Sequence, residues 1–349
     1  MAGVKTILVS PLEWGLGHTV RVVPVIAGLV AQGHRVIIAS DGRSLGFLRF
    51  RFPNLEWIRM PFYPVHYSGT RLFLISLLPQ LPGILRAVRK NRLQTRQLVK
   101  EYSIDLIISD HRYGITAPGT PSVFITNQLW LKAPRGLHWG EWIGYKIHLY
   151  LLRRYSEIWL PDFPGLPNIS GIQTHPPQLP AKARFIGPLS RFEGVVPMKP
   201  EGAEPPDFLV LLSGPEPQRT ILEKLLVSFL SAKGKPAVMF RGMPPADPSG
   251  NPVIEQAGCI TMISHARDPH ILWYMKEAGC IICRPGNSTV TDLIVVGRSA
   301  ILIPTPGHTE QEYVAAHLAG QGLFDVCAQD KIDTCLAEVR GRGWDKMRF

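Results

Sequence analysis

The sequence predicts an α/β protein built from two Rossmann-like, doubly wound domains that face each other across a cleft. Three observations carry this. Short apolar runs alternate with amphipathic helical stretches, the alternation restarts after a proline- and glycine-rich break, and 349 residues exceed what one core ordinarily holds.

The first series begins with the strand "TILVS" (6–10). A glycine-bearing loop, "PLEWGLGH", leads from it into "TVRVVPVIAGLVAQGH", which is apolar at helical spacing and ends at Gly33. "RVIIASDG" (35–42), "IDLIISD" (104–110) and "SVFITN" (122–127) are further buried strands, each running into polar residues. The stretch "GPLSRFEGVVPMKPEGAEPPD" (187–207) marks the break. Residues 1–188 are therefore expected as an N-terminal domain, 189–206 as a linker, and 207–349 as a C-terminal domain with a tail. The second series runs "FLVLLSG" (208–214), helix "TILEKLLVSFLSAKG" (220–234), "PAVMFRG" (236–242), "CIICR" (280–284) with its following helix, "SAILIP" (299–304) and helix "EQEYVAAHLAGQG" (310–322).

With 45% hydrophobic and 19% charged residues the chain reads as globular, neither disordered nor fibrous. A formal charge of +11 calls for an anionic partner: nucleic acid, an acidic membrane surface or a phosphorylated small molecule. Five cysteines, an odd count with none in the first half, argue against a disulfide framework and for a reducing compartment. Cys280 and Cys283 form a lone C-x-x-C within a strand, where that spacing turns the thiols to opposite faces, so they read as buried residues rather than zinc ligands. No convincing secretory signal is present, and "LFLISLLPQLPGIL" is too short and too rich in proline to span a bilayer.

Two loops carry the chemistry. Gly15 and Gly17 form a G-x-G after the first strand, but Val20 holds the third glycine position of a dinucleotide fingerprint, which leaves a nicotinamide reading resting on Asp41 as a ribose contact. The functional alternative places His18 at the carboxyl edge of the sheet, facing the cleft, as a general base. Asp110 ends a strand on the same edge and would orient it; a helix cap at His18 and a turn residue at Asp110 are the bland readings. In the second half, strand "CIICR" delivers Arg284, Gly286, Asn287, Ser288 and Thr289 to the start of a helix, where backbone N–H groups and hydroxyls suit a diphosphate. Arg284, at a strand end, would either meet that diphosphate or pair structurally, and Asp292, one turn in, would accept from ribose hydroxyls. Glu310 and Gln311 would reach hydroxyls of a sugar.

This constellation resembles the donor-binding region of family 28 glycosyltransferases, whose pattern is a strand, R-x-G-A-x-T-x-x-E, a strand ending P-x-P, and a glutamine-containing loop opening a helix. Arg284, Gly286, Thr289, the Pro304–Pro306 pair and Gln311 match; Asn287 replaces a small residue, and Asp292 stands in place of glutamate. The family also carries G-x-G-H after its first strand, matched here by Gly15, Gly17 and His18. "LLSGPEPQRT" lies where the family has its other Gly/Ser loop. Ser213 and Gly214 fit, and Gln218 and Arg219 compensate for donors that the prolines at 215 and 217 remove, the arginine by neutralising diphosphate charge. "IGPLSR" resembles the interdomain hinge.

The resemblance implies a GT-B fold and an inverting transfer from a UDP-sugar to a hydroxyl acceptor, with His18 as base and Asp110 as its partner. No D-x-D motif points to a metal, and no cofactor is expected beyond the sugar nucleotide. Residues 71–100 combine apolar residues with Arg86, Arg89, Lys90, Arg92, Arg96 and Lys100, and "LHWGEWIGYKIHLYLLRRY" adds tryptophans and cations. Together they favour a lipid or lipid-linked acceptor and a peripheral, cytoplasmic-face position on an anionic membrane. A core helix with a solvated basic face is the alternative for 71–100. Nucleic acid is not expected, since no reading helix, RNP aromatics or zinc module accompanies the charge. A UDP-sugar epimerase and a catalytically silent nucleotide-binding protein remain open rivals.

Overall fold

A computed structural model describes residues 3–13, 16–61, 80–133, 136, 138–214, 216–243 and 251–337. The chain divides into two compact units, Met1–Leu189 and Ser190–Phe349.

The first unit is a seven-stranded, wholly parallel sheet. Its strands are β1 (Thr6–Pro11), β2 (Arg35–Ser40), β3 (Glu56–Arg59), β4 (Leu106–Asp110), β5 (Ser122–Ile125), β6 (Glu157–Leu160) and β7 (Ala183–Phe185), in the order β3-β2-β1-β4-β5-β6-β7. Its helices are α1 (Leu16–Ala31), α2 (Gly42–Arg51), α3 (Leu81–Tyr102) and α4 (Trp139–Leu152). A sheet buried on both faces needs strands without a polar side, and that is how the apolar runs are used. Ile7, Val9, Val36 and Ile38 pack with Val22, Val23 and Ile26 of α1 and with Leu45 and Leu48 of α2. The alternate residues Leu8, Ile37 and Ile107 turn to the other face, where Leu98 and Val99 of α3 join them. The order reverses direction between β1 and β4. There the crossovers leave on opposite faces and a crevice opens beyond the carboxyl ends.

The second unit repeats the plan. Strands β8 (Phe208–Leu211), β9 (Ala237–Phe240), β10 (Ile254–Ala257), β11 (Ile260–Ile263), β12 (Cys280–Cys283), β13 (Ile301–Leu302) and β14 (Asp325–Val326) lie in the order β10-β11-β9-β8-β12-β13-β14, with the reversal between β8 and β12. Only β10, paired antiparallel with β11, breaks the parallel pattern. Residues 254–263 carry turn chemistry in "AGC" rather than a buried run, and β10 is mostly exposed, so this edge hairpin has no counterpart in the expected series. Helices α5 (Gln218–Lys233), α6 (Asp268–Glu277), α7 (Asn287–Val296), α8 (Thr309–Gly320) and α9 (Ile332–Ala337) flank the sheet. Leu222, Leu226 and Leu230 of α5 pack with Ile332 and Leu336 of α9 over Val210, Met239 and Ile282. Cys280 and Cys283 are buried in β12, and burial pushes both thiols up, Cys280 to about 12. They are core residues.

The segment expected as a linker, 189–206, is tied into the second unit at several points. Ser190 and Arg191 contact Asp292, and Met198 N–H donates to Pro269 O at 3.0 Å.

Candidate functional site

In the first unit the expected pair is assembled. Pro11 of β1 lies opposite Asp110 of β4 in register, and Leu12 N–H donates to Asp110 O at 2.9 Å, so the loop entering α1 starts beside the carboxylate. His18 and Arg21, three residues apart on α1, share one face and both reach it. His18 Nδ1 lies 2.7 Å from Asp110 Oδ1; Arg21 Nε donates to Oδ2 and Nη2 to Oδ1, each at 2.6 Å. Asp110 is fully buried, whereas the His18 side chain is 24% exposed, so the imidazole is the member of the pair that a ligand can meet. Burial by itself would raise the Asp110 carboxyl, but the Arg21 guanidinium and His18 hold it well below the usual carboxylate range.

The neighbours decide where the protons sit. Arg21 Nη1 donates to Asn127 Oδ1, and Nη2 lies 3.2 Å from His111 Nδ1; His111 Nε2 lies 2.8 Å from Thr126 Oγ1. One assignment satisfies the contacts to Asp110, Asn127, Thr126 and His111, while Arg21 Nη2 lies 2.8 Å from His18 Nδ1 as a second donor. His111, whose protonation burial and then the His18 and Arg21 charges disfavour, carries its proton on Nε2 and accepts from Arg21. His18 Nδ1 must donate to Asp110, because two acceptors at 2.7 Å would repel, and this leaves Nε2 as the basic nitrogen. His111 sits at φ +51 directly after the strand end, a left-handed conformation uncommon for a residue with a Cβ and one found concentrated at functional sites.

His18, Asp110 and His111 place their ligand atoms close enough to hold a metal ion. Arg21, however, already spends two donors on the carboxylate, and its charge opposes a cation, so the cluster suits proton handling better. Arg21, His111 and Asn127 had no place in the sequence reading. Arg21 did leave a signal, as a lone cation in the apolar helical stretch "TVRVVPVIAG". Gly15 lies outside the described residues; Gly17 precedes His18 at the start of α1. Asp41, the ribose contact of the nicotinamide reading, accepts from Arg59 Nε at 2.7 Å.

In the second unit three loops meet at the carboxyl ends of the adjacent strands β8, β12 and β13. Gly286 caps α7, and a Cβ built on it would lie 3.8 Å from Thr289 Oγ1 and 3.9 Å from Ser213 Oγ, so these three residues line one spot. Gly214 stands at φ +104, which requires glycine. The α7 ladder begins with Val290 N–H donating to Gly286 O at 2.9 Å, so the helix presents its positive end, through half-buried Asn287, Ser288 and Thr289, on the same side as Ser213. At the start of α5 the buried carboxamide oxygen of Gln218 has no partner among the described residues.

The other expected donor contacts are engaged within the protein. Arg284 is wholly buried: Nη1 donates to Ile303 O and Pro304 O at 2.9 and 3.0 Å, and Nη2 donates to Gln218 O and Gln329 Oε1 at 3.2 and 2.5 Å. It buttresses the three loops, with Nε left without a partner among the described residues, and burial lowers its pKa to about 10. Arg219 donates to Glu216 Oε1 at 2.8 and 2.5 Å and to Glu223 Oε2 at 2.7 Å, so its charge is matched and does not serve an anion as expected. Asp292 also differs from its expected role. It is 4% exposed, accepts from Ser190 Oγ at 2.6 Å and lies 3.3 Å from Arg191 Nε, so both its oxygens have partners within the second unit. Gln311 is buried and uses Oε1 to accept from Thr305 N–H at 2.9 Å, while His308 Nδ1 caps α8 by accepting from Gln311 N–H at 3.4 Å. Glu310 beside it is half-buried.

The second face of interest lies on α4. Trp139, Trp142, Ile143, Ile147 and Tyr150 are exposed there, with Lys146 over the Trp142 ring at 4.9 Å and Arg153 over Tyr150 at 3.7 Å. Arg86, Arg89, Lys90, Arg96 and Lys100 are exposed on α3, whereas 71–79 of the expected basic segment lie outside the described residues. Among the described residues no helix is long and apolar enough to cross a membrane.

Known proteins resemble this chain at three levels. Residues 255–339 match the family model described as the glycosyltransferase family 28 C-terminal domain. An uncharacterized glycosyltransferase of Methanosarcina mazei is 24% identical over 330 residues, which cover 88% of this chain and 82% of that protein. A UDP-N-acetylglucosamine–N-acetylmuramyl-(pentapeptide) pyrophosphoryl-undecaprenol N-acetylglucosamine transferase of Rhizobium leguminosarum is 38% identical over 60 residues, 17% of this chain. Among solved structures, the MurG of Acinetobacter baumannii aligns over 97% of this chain and 91% of its own, with TM-score 0.57 and 15% identity. The glycosyltransferase of kitacinnamycin aligns over the same shares with TM-score 0.64 and 16% identity. At such identities the structural likeness speaks for the fold.

Proposed function

We propose that this family 28-like glycosyltransferase of GT-B fold moves a sugar from a UDP-sugar to a hydroxyl of a lipid or lipid-linked acceptor, with inversion at the anomeric carbon. The observation that carries the proposal is the 2.7 Å contact between His18 and the buried Asp110 at the reversal point of the first sheet. His18 Nε2 takes the proton of the acceptor hydroxyl as its oxygen attacks the anomeric carbon. The bond from that carbon to the β-phosphate oxygen breaks on the opposite face, and UDP leaves with the electron pair. Asp110 stabilises the imidazolium formed, which then releases its proton to water. General-base help of this kind is worth roughly 10²–10⁴ in rate.

Ser213, Gly286 and Thr289, together with the positive end of α7, suit the departing diphosphate, and the orphan oxygen of Gln218 suits a ligand donor such as a hydroxyl or N–H. The name of the Rhizobium relative specifies both a UDP-linked donor and an undecaprenol-linked acceptor, which supports that pairing here. The aromatic and cationic face of α4 with the basic face of α3 supports an acceptor met at an anionic membrane surface, on the cytoplasmic side.

Calorimetric titration with UDP, with NAD as control, tests the donor site: saturable UDP binding without NAD binding is expected. His18→Ala is then expected to keep its UDP affinity and to lose transfer from radiolabelled UDP-sugars to a lipid extract. Equal loss of both refutes the base assignment. A donor altered without acceptor points to an epimerase, and UDP bound but never turned over points to a silent binder.

A further inference from the structure

Arg21 lies beneath the proposed proton acceptor and touches every polar group around it. Its guanidinium donates to both oxygens of Asp110, reaches Asn127 Oδ1 through Nη1 and lies 3.2 Å from His111 Nδ1, all while almost wholly buried on α1. A buried carboxylate facing an imidazole with no other partner draws a proton onto the pair and holds it there. The imidazolium that this pairing favours cannot accept from a hydroxyl.

We propose that Arg21 is a positioning residue that locks Asp110 against His18 Nδ1 and, by its charge, disfavours a proton on His18 Nε2. The bidentate grip fixes the plane of the carboxylate, and with it the ring of His18. The positive charge 2.8 Å from His18 Nδ1 opposes a second positive charge on that ring, which offsets the attraction of Asp110.

The other groups facing the cluster do not supply this charge. His111, following β4, is held neutral by burial; His148 on α4, the next titratable group beyond it, is lowered by burial to about 4. Asn127 and Thr126, following β5, are uncharged, as are Thr19 and Ser44, which bond each other at 2.6 Å between α1 and α2. Arg21 is thus the one fixed cation among the described residues in contact with the Asp110 carboxylate.

The proposal rests on His18 as the proton acceptor, and its test does not need the acceptor molecule. The full chain is labelled at histidine Cε1, the His18 resonance is assigned by its loss in His18→Gln, and its titration is followed by NMR. Arg21→Met is expected to raise the proton affinity of His18 at least tenfold, about one pH unit. Arg21→Lys, which keeps the charge, is expected to return most of that shift. Where Arg21→Met does not fold, Arg21→Gln, which keeps an amide donor for Asp110, is read in its place. With UDP-sugar turnover as a second readout, the acidic limb of the pH profile moves up with the NMR midpoint. An unmoved midpoint in a folded neutral variant, or a lysine variant that titrates like the neutral one, overturns the proposal. Normal transfer by His18→Ala would instead overturn the base assignment, while the NMR midpoint still reports on Arg21.

Discussion

Replacing Asp110 with asparagine tests whether the carboxylate is the keystone of the first sheet's carboxyl edge. Three donors converge on its two oxygens: Arg21 Nε on Oδ2, and Arg21 Nη2 and His18 Nδ1 on Oδ1, all within 2.7 Å. Asparagine offers one oxygen and one NH2 group, so at least one N–H is left facing another donor. Arg21 keeps its charge, is 4% exposed, and is left with the neutral acceptors Asn127 and His111. Breaking a buried ion pair from one side costs about 3–5 kcal/mol. In a unit of this size that lowers the melting temperature by about 6–20 °C.

Thermal unfolding at pH 7, followed by circular dichroism, measures the loss. The pH dependence gives a second check. Because the folded Asp110 titrates below its unfolded value, its stabilisation is complete above the unfolded pKa and is lost only as pH falls through the folded one. Asp110's own contribution to the gap between wild type and variant is therefore flat from about pH 5 to pH 8. A variant that melts within about 2 °C of wild type, or a gap that closes between pH 8 and pH 5, would show that Arg21 and Asp110 are not paired as described.

Asp292 titrates in the opposite sense. Burial raises its folded pKa from 3.8 to about 6, against the pull of Arg191 and Ser190, so the stability tied to its protonated form is present below the unfolded value and is lost as pH rises through 6. That shift corresponds to about 3 kcal/mol. Asp292→Asn keeps an acceptor for Ser190 and never ionises, so its stability relative to wild type should improve between pH 4 and pH 7.5 by up to that amount. Melting curves at the two pH values check it, a constant difference would refute it, and UDP affinity should not change. For the α4 face, the protein is expected to float with phosphatidylglycerol-containing vesicles and not with neutral ones, each surface cation adding about 1 kcal/mol. Trp142→Glu with Ile147→Glu should cut flotation several-fold, and unchanged flotation would remove α4 from the membrane face.

The alternation of apolar runs with helical stretches was enough to call both sheets, because a parallel sheet covered on two faces leaves its strands no polar side, and that demand is written locally in "TILVS", "RVIIAS", "IDLIIS" and "CIIC". His18 and Asp110 were legible for the same reason. Each stands at a strand's carboxyl end, and strand ends can be read without knowing the partner. The edge hairpin of β10 and β11 was not legible, since a mostly exposed strand carries no such demand.

What only the tertiary structure decided is how each charge is satisfied. Arg21 and Asp110 lie 89 residues apart in sequence, and Ser190 and Asp292 lie 102 apart. No period or spacing records which buried donor meets which acceptor. The same limit left Arg284 open between a diphosphate and a structural partner and aimed Asp292 at a ribose: burial turned the one toward backbone carbonyls and the other toward Ser190 and Arg191. Arg219 is the exception, because Glu216 and Glu223 stand three and four residues away on either side, and that match was open to reading. Hydrophobic burial is set by the residue itself and its neighbours in the chain. Neutralising a buried charge depends on a group that the fold brings from elsewhere.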